Sequence, residues 1–396
     1  MKISPPPASR VLPLVVAAQF ACTSLWFAGN AVLPSLLHEA HLAGTPLSTV
    51  VSAVQFGFIV GTLVFALLAL ADRMSPSKLF LLCAIAGSLF NAGLLLPGQT
   101  TASLLGLRFA VGFFLAGIYP VGMKIAADYV EGGLGRALGY LVGALVLGTA
   151  LPHLLRLLAA GEAWRGVVLG TSGLALAGGL LLWWRVPDGP FRRPGSRLQP
   201  GAVWQVLRNK PFRAAALGYF GHMWELYTFW AFVPLWLAAY AQRHPGSAPL
   251  GPGWAFGIIA VGAPACVAGG YLAQRIGSRR TARLALATSG ACCLLSPLLL
   301  VLPLWAFGAL MGLWGMAVVA DSPQFSTLVA QQAPAATKGT ALTLVTCLGF
   351  ALTIVSLQAF AALHPHLDAR YWFWVLAPGP LLGLWATRQA DAPRMR

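Results

Sequence analysis

The chain has 396 residues, is 58% hydrophobic and 9% charged, and carries a formal net charge of +16 at pH 7. Soluble domains carry about 25% charged residues, so no water-soluble fold could bury this much apolar sequence, and the bilayer must act as solvent. The positive charge lies mainly in short loops between long apolar segments, which excludes a nucleic-acid-binding protein.

The apolar segments are long enough to cross a membrane, because a spanning helix needs roughly 20 apolar residues. Twelve segments qualify: 11–36, 47–71, 78–97, 102–128, 134–158, 164–186, 212–241, 253–274, 281–302, 304–330, 338–362 and 369–388. The first six and the last six cover almost equal lengths of chain, which favours an internal duplication. We predict an all-α membrane protein with twelve transmembrane helices in two pseudo-symmetric six-helix bundles. The bundles are residues 1–186 and 212–396, joined by a cytoplasmic linker at 187–211.

The distribution of basic residues predicts the topology. Most of the 26 Lys and Arg residues lie in the termini and in alternate loops. Basic residues accumulate in cytoplasmic loops, so we predict a multi-pass protein of the plasma (inner) membrane with both termini in the cytoplasm. The first apolar run is too long for a signal-peptide core and is expected to remain as the first span. Attraction to anionic lipids accounts for the basic linker.

Two internal correspondences support the duplication. The segment Leu70–Lys78 returns in altered form as Leu272–Arg280, each copy between two spans. Spans four and ten are each interrupted by a proline, at Tyr119-Pro120 and at Asp321-Ser322-Pro323. Interrupted helices at equivalent places in two repeats indicate a substrate path in transporters. The alternative is that these prolines are merely tolerated in a tightly packed bundle.

The repeated loop resembles a motif of the major facilitator superfamily. Leu70, Ala71, Asp72, Arg73 and Lys78 fit the loop that joins spans two and three in that family, whereas Ser75 and Ser77 depart from it. The second copy keeps Gly277, Arg279 and Arg280 but has Gln274 in place of the acid. Arg108 to Gly112 also resembles the family's Arg-x-x-x-Gly pattern in span four. The resemblance implies the family fold, with spans one, four, seven and ten lining a central site.

The resemblance also implies a cytoplasmic gate. Asp72 would sit at the N-terminus of a facing helix, where the helix dipole favours an anion. The residues assigned to gating are Asp72, Arg73, Lys78, Lys124, Asp128, Arg136, Arg275 and Arg279. For Lys124 two interpretations stay open, an i, i+4 pair with Asp128 or a contact with substrate.

Charged groups within spans are costly, roughly 2.5–3.5 kcal/mol each on insertion scales, and are therefore functional candidates. Arg108 could bind an anionic substrate group or tune a nearby acid, with Tyr119 on the same helix face. The alternative is a structural arginine bound to backbone carbonyls. Asp321 could pair with Lys124 or coordinate substrate. Gln19, Thr23, Asn30 and Gln55 are candidates to line a cavity.

Span seven carries the densest polar group. Tyr219, His222, Glu225 and Thr228 recur every three residues and so form one stripe of the helix. A carboxylate and an imidazole near mid-membrane are the groups that a proton relay needs. The alternative is a buried polar cluster that fixes helix packing. The residues assigned to substrate or proton coupling are Arg108, Tyr119, Tyr219, His222, Glu225 and Asp321.

The sequence contains no phosphate-binding loop for ATP and no hydrolase or metalloprotease motif, so we expect no enzyme, cofactor or metal. The six cysteines lie in spans without metal-ligand spacing. We predict a monomeric secondary active transporter of a small organic solute that is coupled to protons, and Arg108 and Lys124 favour an organic anion. A drug or metabolite efflux antiporter is the alternative, suited to the aromatic residues of span seven. A non-transporting membrane sensor is the remote alternative.

Overall fold

The computed structural model describes residues 8–42, 44–129, 134–159, 163–192, 201, 208–246, 250–333 and 337–389. Over these residues the chain is helical and has no β-strand. It divides into two compact units, Met1–Gly195 and Ser196–Arg396, which we name unit 1 and unit 2.

Unit 1 is a bundle of long helices with two short ones. Its described α-helices are α1 (Ala8–Thr23), α2 (Leu25–Glu39), α3 (Leu47–Leu67), α4 (Leu70–Arg73), α5 (Pro76–Ala92), α6 (Thr101–Leu115), α7 (Tyr119–Ala127), α8 (Leu134–Leu158) and α9 (Ala163–Arg185). A 3₁₀ turn at Gly93–Leu95 follows α5. The main packing pairs are α3 with α6, α5 with α9, and α1 with both α8 and α9.

Two spans of unit 1 are interrupted. Between α1 and α2, the Thr23 hydroxyl donates to Gln19 O at 2.8 Å and the Ser24 hydroxyl donates to Ala21 O at 2.7 Å. Such bonds from a hydroxyl to the preceding turn bend helices. Between α6 and α7, the break precedes Pro120, which lies in the first turn of α7. Proline lacks an N–H and clashes with the carbonyl four residues earlier, so the helix restarts there.

Unit 2 is also helical throughout its described residues. Its α-helices are α10 (Lys210–Arg243), α11 (Pro252–Ala260), α12 (Gly262–Ile276), α13 (Ser278–Leu299), α14 (Leu304–Ala320), α15 (Ser322–Gln332), α16 (Lys338–Leu363) and α17 (Pro378–Gln389). Two 3₁₀ segments, His364–His366 and Ala369–Leu376, lie between α16 and α17. The predicted interruption of span ten falls at Asp321, between α14 and α15, with Pro323 in the first turn of α15.

Glycines set the closest helix contacts in each unit. A Cβ added to Gly112 on α6 would lie 1.9 Å from the Val54 carbonyl oxygen on α3. A Cβ on Gly315 of α14 would lie 1.9 Å from the Ile258 carbonyl oxygen on α11. Any side chain at these two positions would force the helices apart, as expected where small residues allow backbones to approach in membrane bundles. Gly112 lies one turn beyond Arg108 on α6, so the close approach of α6 to α3 occurs next to that arginine.

Ten helices in the described residues are long and apolar enough to cross a membrane by length and composition. They coincide, to within a few residues, with ten of the twelve predicted spans. The predicted span 212–241 lies in α10, whose hydropathy is lowered by polar residues including His222 and Glu225. The predicted span 369–388 is divided between the second 3₁₀ segment and α17. The all-helical fold class is confirmed, and the count of twelve stays a prediction.

Candidate functional site

The buried guanidinium of Arg108 joins several helices of unit 1. Its side chain is fully buried, and its Nη2 donates to the carbonyl oxygens of Leu25 at 3.0 Å and Trp26 at 2.7 Å. These carbonyls belong to the first turn of α2, directly after the break at Ser24. Its Nη1 donates to Asn91 Oδ1 on α5 at 3.1 Å. We name these groups the Arg108 cluster.

Asn91 extends the Arg108 cluster to α9. Its Nδ2 donates to Thr171 Oγ1 at 3.1 Å and to Ser172 Oγ at 2.9 Å. Room for the arginine comes from Gly29, where a Cβ would lie 2.8 Å from Arg108 Nε. The cluster therefore connects α2, α5, α6 and α9 inside unit 1.

These contacts are those of the alternative interpretation, in which Arg108 is bound to backbone carbonyls. Among the described residues, Nη1 and Nη2 donate to neutral oxygens, and the buried Nε has no hydrogen-bond partner. Tyr119 opens α7 and is half-buried, so the break at 116–118 separates it from Arg108. The role of the two residues in substrate binding stays a prediction.

A second polar group surrounds Asp72. Lys124 Nζ on α7 lies 3.2 Å from Asp72 Oδ1. Arg192 donates through Nη2 to the carbonyl oxygens of Asp72 and Met74 and lies 2.5 Å from Asp188 Oδ2. The Ser75 hydroxyl donates to Asp188 Oδ1 at 2.6 Å. We name this group the Asp72 cluster.

The start of the predicted linker, residues 187–192, is bound to the end of α7. The Phe191 N–H donates to Asp128 O at 3.0 Å, and the Tyr129 hydroxyl donates to Pro187 O at 2.6 Å. Burial raises the pKa of Asp128, against the opposing effect of Lys124 and Arg192. Burial, with the nearby carboxylates, raises the pKa of Tyr129 to about 12. The rest of the predicted linker up to residue 207, apart from Gly201, lies outside the described residues.

The other predicted gating residues differ in exposure. Arg73, Lys78, Arg136 and Arg275 are exposed, and Arg279 is half-buried. Asp72 and Lys124 are therefore the predicted gating residues that the structure brings into direct contact within unit 1. Within its own unit each of the two other charged candidates has a partner, Lys124 beside Asp72 and Asp321 beside His222, and the pairing of Lys124 with Asp321 stays a prediction.

In unit 2, one oxygen of Glu225 accepts three hydrogen bonds. Its donors to Oε1 are the Ser289 hydroxyl at 2.5 Å, the Trp314 indole N–H at 2.7 Å and the Cys293 thiol at 3.3 Å. The residue is 1% exposed. Glu225 thereby connects α10 to α13 and α14.

One turn earlier on α10, His222 meets Asp321. His222 Nδ1 lies 2.8 Å from Asp321 Oδ1 at the break between α14 and α15, and both side chains are buried. Next to Asp321 along α15, the Gln324 side chain is 1% exposed. Neither its amide atoms nor His222 Nε2 has a hydrogen-bond partner among the described residues. We name His222, Glu225, Asp321 and Gln324 the acid–imidazole cluster.

The rest of the predicted stripe on α10 has other contacts. Thr228 Oγ1 lies 2.8 Å from Ser356 Oγ on α16, and that serine donates to Trp224 O. The Tyr219 ring lies 6.1 Å from the His222 ring, and it packs where a Cβ on Gly349 would stand. The stripe therefore serves two purposes, since Thr228 binds α16 while His222 and Glu225 meet α13 to α15.

Sequence reasoning missed the neutral partners of these charges. Asn91, Thr171 and Ser172 carried no signal, because isolated polar residues occur in many spans. Ser289, Cys293 and Ser296 recur at helical spacing on α13, and this polar stripe could have indicated a face turned towards a buried charge. The Cys293 thiol is a donor to Glu225, a role that its position in an apolar span does not indicate.

The clusters differ in what they can do chemically. A guanidinium keeps its proton in proteins, so the Arg108 cluster can bind an anion or hold helices but cannot relay protons. Carboxylates and an imidazole can gain and lose protons. Among the described residues, no group of three His, Cys, Asp or Glu side chains is arranged to hold a metal ion. The acid–imidazole cluster is the best candidate for a coupling site.

Comparisons with known proteins agree with the fold. The chain is similar in structure to the human organic anion transporter MFSD10 (TETRAN), with a TM-score of 0.76, 18% sequence identity, and coverage of 96% of this chain and 100% of that one. It is also similar to the transporter FucP in the outward conformation, with a TM-score of 0.68, 12% identity, and coverage of 96% and 99%. A search of curated protein sequences gives no match.

The family follows from the sequence profile. The profile of the Major Facilitator Superfamily matches residues 15–357, which is most of the chain. Members of this family are membrane transporters, not enzymes. The chain belongs to the Major Facilitator Superfamily.

Proposed function

We propose that the chain is a proton-coupled secondary active transporter of a small organic solute, working by alternating access. In this proposal it has twelve spans in two six-helix bundles and lies in the plasma membrane with both termini in the cytoplasm. The single observation that carries the proposal is the buried contact between His222 and Asp321 in unit 2, 2.8 Å apart.

Burial of these ionisable groups needs an explanation. Ionisable residues within membrane spans are rare because they are costly, and they mark proton relays and substrate pathways. A buried ion pair is weak evidence for stability, since apolar residues of the same volume often serve as well. A pair made of an acid and an imidazole adds a capacity that an apolar pair lacks, which is to gain and lose a proton.

Glu225 supports the same proposal from the next turn of α10. It is held on three sides by donors from α13 and α14, so a change in its protonation would alter contacts among three helices. Asp321 also acts electrostatically on the Glu225 carboxyl. Two acids and one imidazole thus share one buried region of unit 2, and a proton gained by one changes the others.

The substrate that we propose is an organic anion. This rests on the cations of span four, and MFSD10, a structural neighbour, is named as an organic anion transporter. The structure adds a constraint, because Arg108 is bound by neutral acceptors and Lys124 lies beside Asp72. An anion site that used either residue would require those contacts to change during transport.

The second candidate is an efflux antiporter that exchanges a lipophilic compound for protons. The observation that favours it is the aromatic surrounding of α10, where Tyr227 lies 5.4 Å from both Trp230 and Phe350, ring centre to ring centre. Such rings suit flat apolar compounds.

For the gate, we propose that the Asp72–Lys124 pair and the segment 187–192 near it stabilise one conformation of the transporter.

The test is solute-driven proton movement in proteoliposomes. With a pH-sensitive dye trapped inside, organic acids added outside should acidify the lumen if solute and proton enter together, whereas an antiporter would make the lumen more alkaline. His222→Gln and Asp321→Asn should each lower the initial rate by about tenfold or more, the range of effect given by a positioned proton-transfer group.

The matched control is Asp368→Asn, an exposed acid of unit 2 that is bound to Arg243. It should leave the rate within about twofold of the wild type, because an exposed ion pair contributes little. If His222→Gln and Asp321→Asn fold normally and retain full proton movement, the coupling proposal is wrong.

A further inference from the structure

Within the described part of the chain, two polar groups of the acid–imidazole cluster are buried without a hydrogen-bond partner, as are the side-chain amides of Gln19, Asn30 and Gln55 in unit 1. His222 Nε2 and both amide atoms of Gln324 have no hydrogen-bond partner among the described residues, and each residue is 1% exposed. Buried polar groups are almost always paired, and leaving one unpaired costs about 1–3 kcal/mol. Unpaired groups next to a coupling site therefore indicate a place that a ligand fills.

Asp321 connects these two groups, because it lies 2.8 Å from His222 Nδ1 and one helical turn before Gln324. The ring of Phe325 on α15 fills the position of the missing side chain of Gly218 on α10, and one turn along α10 His222 meets Asp321. Gln324 lies between Asp321 and Phe325 on the helix that makes both contacts. Its Nε2 lies 3.7 Å from where a Cβ of Gly269 on α12 would stand. Three helices of unit 2 thus surround the pair.

Asp321 determines which nitrogen of His222 can act. Because Nδ1 faces the Asp321 carboxylate, the N–H of a neutral imidazole lies on Nδ1, and Nε2 is left as an acceptor. When His222 is protonated, Nε2 becomes a donor while Nδ1 stays bound to Asp321. Asp321 is in this respect a positioning residue for Nε2.

We propose that His222 Nε2 and the Gln324 carboxamide bind the carboxyl group of an organic acid together with one proton. In the neutral form, the acid's O–H donates to Nε2, and its C=O accepts from Gln324 Nε2–H. If the proton moves to Nε2, the O–H bond breaks, the N–H bond forms, and the carboxylate accepts from both donors. The inference rests on the proposed function and names its substrate class.

The charges around His222 require the proton. Facing it are Tyr219 and Glu225 on α10 and Asp321 at the break, with the Cys266 thiol on α12 donating to Val319 O nearby. From α16 and α17, Gly349 and Gly379 pack against Tyr219 and Trp224 of α10, and these glycines carry no charge. A bare anion would add a negative charge beside the carboxyls of Asp321 and Glu225. An acid that arrives with its proton adds none, so solute and proton bind as a unit.

The experiment measures equilibrium binding to the purified full chain in lipid nanodiscs. Two matched sets of probes are used: benzoate, benzamide and benzenesulfonate, and butyrate, butyramide and butanesulfonate. The carboxylates should bind about tenfold more tightly for each unit that the pH falls between 8 and 6, as linkage to one proton requires. The amides should bind without pH dependence, and the sulfonates, which take no proton in this range, should bind at least tenfold more weakly than the carboxylates at pH 6.

Variants locate the site. Gln324→Leu should weaken carboxylate binding by about tenfold while preserving its pH dependence, and His222→Leu should weaken it by at least as much, because the acid's O–H then has no Nε2 to donate to. Gln331→Leu on the same helix is the matched control, because Gln331 is exposed, and it should bind as the wild type does. Thermal unfolding of each variant shows whether a loss of binding reflects a loss of fold.

Three results would overturn the inference. They are absence of carboxylate binding, carboxylate binding that ignores pH, and sulfonate binding equal to that of carboxylate. None of them would overturn the proposed function if solute-driven proton movement still depended on His222 and Asp321. Conversely, the wild-type protein could bind carboxylates with the expected pH dependence and yet show no solute-driven proton movement in proteoliposomes. That result would contradict the proposed function and leave the inferred binding site intact.

Discussion

The two units bury charge in opposite ways. In unit 1, the fully buried Arg108 donates from Nη1 and Nη2 to carbonyl oxygens and an asparagine, so these two nitrogens are matched by neutral acceptors, while Nε has no partner among the described residues. In unit 2, Glu225 accepts from a hydroxyl, an indole and a thiol, and His222 lies beside Asp321. The first arrangement keeps a permanent charge in place. The second holds groups whose charge can change.

This difference separates structure from coupling. A guanidinium shared among α2, α5 and α6 stabilises one arrangement of those helices, and moving it would leave carbonyls and Asn91 unpaired. The carboxylates of unit 2 can instead be neutralised in place. We therefore expect substitutions at Arg108 to destroy the fold of unit 1, and substitutions in the acid–imidazole cluster to alter pH-dependent transport first.

The largest expected effect is that of Arg108→Leu. It removes the donors to Leu25 O, Trp26 O and Asn91 Oδ1, and each buried acceptor left without its partner costs about 1–3 kcal/mol. We expect little folded protein, measured as the monodisperse fraction after detergent extraction and as the midpoint of thermal unfolding. Gly29→Ala should act in the same direction more weakly, because its Cβ would stand 2.8 Å from Arg108 Nε.

Arg165→Gln is the control for Arg108. Arg165 forms an exposed ion pair with Glu39 in unit 1, and exposed pairs contribute about 0–1 kcal/mol. It should leave the unfolding midpoint nearly unchanged. A stable, well-folded Arg108→Leu protein that had lost only substrate binding would instead support the substrate role that the sequence suggested.

The sequence predicted the elements well because their signals are local. Apolar length placed ten spans, and Pro120 and Pro323 marked two of the interrupted helices, whereas no proline marks the break at Ser24. The cost of charge in a membrane also identified Arg108, Glu225 and Asp321 as residues that need partners. Each of these signals can be read from one stretch of chain.

The partners could not be predicted, because they come from distant segments. Leu25 lies 83 residues before Arg108, and Trp314 lies 89 residues after Glu225. Whether Arg108 meets a carbonyl or a substrate depends on the bend at Ser24 and on the space left by Gly29. Neither is visible as a motif. The choice between the two interpretations of Arg108 therefore required the packing of unit 1.

A smaller effect on the fold, with a large effect on coupling, is expected for Glu225→Gln. The amide oxygen can still accept from Ser289, Cys293 and Trp314, so the three helices should stay connected. The amide cannot take a proton. Proton-driven uptake should therefore fall by about tenfold or more while counterflow exchange of solute continues, as measured in the same proteoliposomes.

Ser289→Ala is the companion to Glu225→Gln, since it removes one donor and leaves the carboxylate able to titrate. It should shift the pH dependence of uptake without abolishing it. Unchanged pH dependence in Glu225→Gln would assign Glu225 a purely structural role, like that of Arg108, and would remove the distinction between the units at this residue.

The smallest effects should come from two acids that lie outside the ten helices long enough to cross the membrane, and whose pKa values move in opposite directions. Burial raises the pKa of Asp128 in unit 1, and the backbone N–H of Arg370, with the side chains of Arg370 and Arg243, lowers the pKa of Asp368 in unit 2. Ionised Asp128 therefore opposes folding. Ionised Asp368 favours it.

The signs of the two effects on stability follow from linkage. For Asp128, stability falls as pH rises from the ordinary Asp range through the folded pKa, so Asp128→Asn should unfold at a higher temperature than the wild type at pH 7, with the difference shrinking towards pH 4. For Asp368, the stabilisation is present above the ordinary Asp pKa and is lost as pH falls through the folded pKa. Asp368→Asn should therefore unfold slightly earlier at pH 7 and converge with the wild type in acid. Shifts of the same sign for both variants at pH 7 would show that hydrogen bonds lost with the carboxylate outweigh its ionisation in at least one unit.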